Sequence, residues 1–160
     1  MERDLNEDIS LVRGHLAIGS RGCAEDRATL LAYEIGAILS LTTTSPGLKI
    51  PHHTVEIQDR HPLPSAAIQE CIEFIDYHKH QGNRVLVHCE MGISRSPAIC
   101  ACFLYECEGI TLEKAHDEIK ARRPLADPHP VLLASIKDYY NGNDQQLVAR
   151  PDASLLEDNS

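Results

Sequence analysis

No run of residues in this 160-residue chain is apolar for long enough to cross a bilayer; the longest spans only Ala98 to Tyr105. Basic runs are missing as well. Lys and Arg number 15 against 24 Asp and Glu, which leaves a formal charge of −9 and a pI near 5.4. Nucleic-acid binding rests on a basic patch that neutralises phosphates, so no nucleic-acid partner is expected. An acidic chain is also poorly suited to an anionic membrane, and no membrane partner is expected. A phosphorylated substrate stays open, because a small pocket can be locally positive inside an acidic protein. The opening Met1-Glu2-Arg3-Asp4 lacks the cationic and apolar segments of a signal peptide. The six cysteines form no CxxC pair, which removes support for a zinc site or a thioredoxin-like motif. The expectation is a cytoplasmic protein with reduced thiols, no metal and no cofactor. Trp is absent too, which says little about function.

Neither an internal repeat nor a low-complexity segment is present, and the length suits one domain. Residues 1–8 are expected to be a mobile leader, 9–142 the folded domain and 143–160 a loose acidic tail. Leu11-Val12 and Leu16-Ala17-Ile18 read as a hairpin, and 24–33 as a helix. Strands are expected over 35–41, where Gly36 marks a close approach, and over 53–57. Ser45-Pro46-Gly47 reads as a turn. Ser65 reads as the N-cap of a helix whose apolar face carries Ile68, Cys71, Ile72, Phe74 and Ile75, ended by Gln81-Gly82-Asn83. Val85-Leu86-Val87 suits a strand covered on both faces. A buried helix follows from about Ser96, then one capped by Thr111 and stopped at Arg123-Pro124, then one over 130–140. The alternation indicates an α/β fold, with a central mixed sheet of about five strands flanked by helices.

The stretch that carries chemistry is His88-Cys89-Glu90-Met91-Gly92-Ile93-Ser94-Arg95-Ser96-Pro97. A buried strand enters it and a buried helix leaves it. A loop at the carboxyl end of a strand is where α/β sheets bind anions. Successive backbone N–H groups there can turn inward as a nest, and the helix that follows adds its own unpaired donors. Gly92 gives the tight loop its freedom, and Pro97 fits the first helical turn. Residues 90–95 would thus form a phosphate-binding loop. The same donors favour the thiolate of Cys89 as a nucleophile. Arg95 can hold two phosphate oxygens with its planar fork and stabilise a trigonal-bipyramidal transition state. Ser96 can donate to the Cys89 sulfur and assist its departure. His88 has two readings, a residue that holds the loop from behind or a satisfied core histidine.

His-Cys, five residues, then Arg-Ser resembles the signature of the cysteine-based protein tyrosine phosphatases, and the surrounding pattern resembles their dual-specificity branch. The resemblance covers about residues 9–141. Leu16-Ala17-Ile18-Gly19-Ser20 resembles the family's opening segment, and Arg122-Arg123-Pro124 with Pro128-His129-Pro130 resembles the stretch before its last helix. Membership implies hydrolysis of phosphotyrosine, with phosphoserine and phosphothreonine as further targets in proteins, through a phosphocysteine on Cys89. It also implies a general acid on a loop about thirty residues before the nucleophile. Asp59 occupies that place, with Glu56 the alternative. The family often has Asn where His129 stands, and that residue braces the loop; His129 is expected to brace it differently. The family usually has a small residue where Met91 stands. Glu90 puts a negative charge at the rim, which argues against highly anionic substrates such as inositol phosphates.

Other readings stay open on the residues alone. A rhodanese-like sulfurtransferase would also cradle an anion around a cysteine, and a phosphopeptide-binding module would need no turnover. Cys23, Cys71, Cys100, Cys102 and Cys107 suit core packing, or one of them could trap an oxidised Cys89. Arg122 and Arg123 could bind a second anion or contact substrate, but read more simply as a cationic cap on a helix C-terminus.

Overall fold

The computed structural model describes residues 8–149, and side chains as far as 142. The residues expected to form a leader lie outside it except Asp8. Two segments, β1 (Ile9–Arg13) and β2 (Leu16–Gly19), form the expected antiparallel hairpin. The central strands are β3 (Ile35–Ser40) and β5 (Arg84–His88), and β4 (His52–Thr54) closes one edge. The sheet order is β1-β2-β5-β3-β4, with β2, β5, β3 and β4 all parallel. The expected five-stranded mixed sheet is therefore what forms.

Strand pleating sorts β5 between two layers, because successive side chains point to opposite faces. Val85 and Val87 join Leu16, Ile18, Ala37 and Leu39 against α3 (Ser65–His80), α4 (Arg95–Glu108), α5 (Leu112–Arg122) and α6 (Pro130–Ala149). Leu86 joins Ala17, Ile35 and Ile38 on the other face, under α1 (Arg21–Ala24) and α2 (Arg27–Ala32). A run of apolar residues with no polar alternation is what a strand covered on both sides requires. The helix α4 is buried from Ser96 through Leu104, as its apolar circumference demands.

Four local expectations are corrected. The single helix over 24–33 is two short ones, because Asp26 accepts a bond from the Thr29 N–H and starts a second turn. Ser65 is the first helical residue and not the cap; Pro64 holds the cap position without a side-chain bond. The strand expected over 53–57 is regular only at 52–54, although the N–H groups of Val55 and Ile57 still bond to Ser40 and Leu41. The last helix runs on to Ala149, beyond the 140 expected. The close approach at Gly36 is real: a Cβ there would lie 3.0 Å from Asn83.

At the end of α4, Glu108 accepts from Arg13 at 2.9 Å and contacts His15 at 2.8 Å and Lys79 at 3.5 Å. This carboxylate ties the helix to the hairpin and to α3, which fixes the far end of the element that carries Arg95. Burial alone would raise its pKa, but the Arg13 bond and the nearby cations outweigh that and lower it.

Candidate active site

The register aligns Gly19, His88 and Ser40 side by side, so the carboxyl ends of β2, β5 and β3 form one edge. Cys89 follows directly, 2% exposed, and α4 begins at Arg95. The intervening loop is held from outside by its carbonyls. The Cys89 oxygen lies 3.0 Å from His88 Nδ1, and the Glu90 oxygen accepts from the Arg21 N–H at 2.9 Å. Arg123 donates from its guanidinium to the Met91 oxygen at 3.1 Å and from Nε to the Gly92 oxygen at 2.8 Å. The Asp127 N–H reaches the Ile93 oxygen at 2.6 Å. In a trans peptide the N–H points opposite to the C=O. Five carbonyls turned outward therefore turn the N–H groups of residues 90–94 to the other side. Among the described residues none of those N–H groups has a protein acceptor. This is the geometry of an anion nest.

Arg95 Nη1 donates to the Ile57 carbonyl at 3.0 Å, while its Nε is buried and has no partner among the described residues. A buried charged donor left unpaired is costly, and an external anion is the acceptor that would satisfy it. Ser96 lies wholly buried with Oγ 3.3 Å from the Cys89 sulfur. Gly92 has φ of 72°, and a Cβ there would come within 2.6 Å of Arg123 and 2.7 Å of the Gly19 oxygen. Both backbone conformation and space thus call for glycine.

Asp59 is brought to the loop, as its sequence position suggested. Its Oδ1 accepts from the Ser94 hydroxyl at 2.8 Å and from the Arg60 N–H at 3.0 Å. Glu56, the alternative acid, instead accepts from Thr43 at 3.1 Å. Ser94 also accepts from the backbone N–H of His129 at 3.0 Å. The brace at His129 is therefore its main chain. The imidazole accepts from the Val131 N–H at 3.1 Å and caps α6. Glu90 is exposed but not unpaired, lying 3.6 Å from Arg21. Met91 is 60% exposed at the rim. His88 is fully buried, and burial pushes its pKa down.

Arg123 is the residue that sequence reasoning missed. Its backbone N–H closes α5 by bonding to the Ile119 carbonyl, but its guanidinium does not serve the helix end: the residue is 1% exposed, lies under the loop and also donates to Ser10 at 2.9 Å. Replacing it by Met is expected to leave two loop carbonyls without donors, at about 1–3 kcal/mol each. We expect a stability loss of about 3 kcal/mol and a fall of at least about ten-fold in kcat/KM, measured by denaturant unfolding and steady-state kinetics. Unchanged kinetics with intact folding would contradict the bracing role.

Cys71, Cys100 and Cys102 lie wholly buried among core residues. Burial pushes Cys71 up to about 12 and Cys23 up to about 11, which favours packing over reactivity. A shallow cavity of about 390 Å³ near Leu63, Ser135 and Tyr139 is lined by none of the loop residues. The convergence of donors, and not cavity volume, locates the site. Among the described residues no cluster of His, Cys, Asp or Glu could hold a metal ion, and no helix is long and apolar enough to cross a membrane.

Comparison with known proteins points the same way. The family profile for the dual specificity phosphatase catalytic domain matches residues 16–142. Human dual specificity protein phosphatase 2 is 37% identical over 120 residues, covering 72% of this chain and 38% of that protein. The chain thus spans little more than a third of that relative's length. Dual specificity protein phosphatase 1 of Arabidopsis thaliana is 32% identical over 136 residues, covering 81% of this chain and 67% of that protein. The crystal structure of DUSP15 superposes with a TM-score of 0.80 at 28% identity, over 89% of this chain and 93% of that one.

Proposed function

This chain belongs to the dual specificity phosphatase family, and from that membership we propose that it hydrolyses phosphomonoesters of tyrosine, serine and threonine in proteins through a phosphocysteine on Cys89. One observation carries the reading. Among the described residues, the N–H groups of residues 90–94 have no protein acceptor beside the nucleophile, and the buried Arg95 Nε has none either. These donors suit the oxygens of a tetrahedral dianion.

The chemistry follows from the placement. The Cys89 sulfur attacks phosphorus in line with the leaving oxygen. Arg95 and the loop amides hold the three equatorial oxygens, where charge gathers in the transition state. Asp59 gives its proton to the departing oxygen. In the second step Asp59 takes a proton from water, which attacks the phosphocysteine, and Ser96 donates to the sulfur as the S–P bond breaks. Glu90 and its partner Arg21 nearly cancel at the rim, so a substrate with a single phosphate fits better than a highly anionic one. We place the enzyme in the cytoplasm, on the strength of its sequence.

The test is an assay of aryl phosphate hydrolysis in the presence of a metal chelator. Turnover is expected to persist, and acid quenching during turnover is expected to trap a phosphoryl group on Cys89. Activity that appears only with added metal would contradict the proposal. Phosphopeptide binding with no release of phosphate would point to a binding module instead.

A further inference from the structure

We propose that Ser40 and His52 are positioning residues that set the tautomer of His88 and, through it, the orientation of the first peptide of the phosphate cradle. The proposal rests on the phosphatase reading above, but part of its test does not.

Hydrogen-bond valence decides which ring nitrogen carries the hydrogen. A carbonyl oxygen can only accept, so the 3.0 Å contact with Cys89 places a hydrogen on His88 Nδ1. The ring is wholly buried, which favours the neutral form, so Nε2 must then accept. Two hydroxyls face it. Thr44, at 3.1 Å, has a competing acceptor in the Thr42 carbonyl at 3.0 Å. Ser40, at 2.6 Å and fully buried, is the donor that decides. Having given its only hydrogen to His88, the Ser40 oxygen needs a donor of its own. His52 supplies it, with Nε2 at 2.8 Å. The chain of bonds crosses three adjacent strands, from half-buried His52 on β4, through Ser40 on β3, to His88 on β5 and the Cys89 carbonyl.

The consequence reaches the nucleophile because the Cys89–Glu90 peptide is planar. Holding its carbonyl toward His88 holds the Glu90 N–H toward the opposite side, in the cradle. Without the Ser40 hydroxyl, His88 can carry its hydrogen on Nε2. Its Nδ1 lone pair then faces the Cys89 oxygen, and the peptide is no longer held. Glu25 favours a second proton on the ring, while Arg21 and His52 oppose it.

The experiment compares Ser40→Ala, His52→Leu and His52→Gln in the full chain. Long-range ¹H–¹⁵N spectra read the His88 tautomer, and aryl phosphate kinetics across pH read the consequence. The wild type is expected to show the hydrogen on Nδ1, with Ser40→Ala and His52→Leu shifting the population toward Nε2. In both, kcat is expected to fall roughly ten-fold, the effect of one buried hydrogen bond, with KM changed much less. His52→Gln keeps a side-chain N–H and is expected to restore most of the activity. A wild-type His88 with its hydrogen on Nε2 would overturn the proposal. So would Ser40→Ala and His52→Leu with unchanged tautomer and kcat. Should Ser40→Ala fail to fold, the half-buried His52→Leu decides. A wild type without turnover would sink the phosphatase reading alone, since the spectra still test the tautomer.

Discussion

Cys89→Ser is expected to lose aryl phosphate turnover by at least about a thousand-fold while still binding the anion. The two side chains differ by one atom at a site that is 2% exposed, so the loop has no reason to rearrange. What changes is the nucleophilic atom. Sulfur is intrinsically the stronger nucleophile, whereas a serine hydroxyl would need a base to take its proton. Among the described residues, the group bonded to the sulfur, at 3.3 Å, is another hydroxyl, Ser96, and not a base of the usual kind. The check is kcat for both proteins, with vanadate or phosphate affinity measured by calorimetry on the variant. Turnover within about ten-fold of the wild type would end the covalent scheme. Loss of anion affinity together with turnover would mean that the variant has lost the cradle as well as the nucleophile.

Asp59→Asn carries the second large expectation, a loss in kcat of about a thousand-fold on a phosphotyrosine peptide with little change in anion binding. Asparagine keeps an oxygen to accept from Ser94 and from the Arg60 N–H, so the loop that presents it should stay in place. It has no acidic proton to give. The size of the loss should therefore depend on the leaving group. A nitrophenolate leaves without protonation, so its hydrolysis should suffer far less than that of an alkyl phosphate. Equal losses across leaving groups would mean that Asp59 positions Ser94 and does not act as the acid. The assignment would then be wrong even if activity fell.

The loop from Cys89 to Arg95 was legible in the sequence because its parts are contiguous. A strand, a cysteine, a glycine, an arginine and a helix start follow one another, and each speaks through local rules. Asp59 was legible through the family resemblance, which supplied a spacing. Arg123 was not. Its partners Gly92 and Ser10 lie 31 and 113 residues away, and its neighbours in the chain look like an ordinary helix end. A pattern reader gives such an arginine to the helix dipole, and only the fold reveals that it is buried. The way His129 reaches the loop was not legible: the contact with Ser94 is made by its backbone, which no side-chain comparison can see. Ser40 likewise meets His88, and His52 meets Ser40, only because parallel pairing sets β3 between β5 and β4. The break in the helix over 24–33 is a contest between an apolar period and the capping strength of Asp26, and the cap won.

The five outward carbonyls of residues 89–93 are gripped by four residues, His88 of β5, Arg21 of α1, and Arg123 and Asp127 after α5. Solvent offers an arriving phosphate dipoles that must first swing round to meet it, and that reorientation recurs with every event in water. Here the swing took place once, during folding, and five bonds from four residues stop it from relaxing back. The anion therefore meets a polar environment already arranged for it, and the stability of the surrounding domain is what keeps it so.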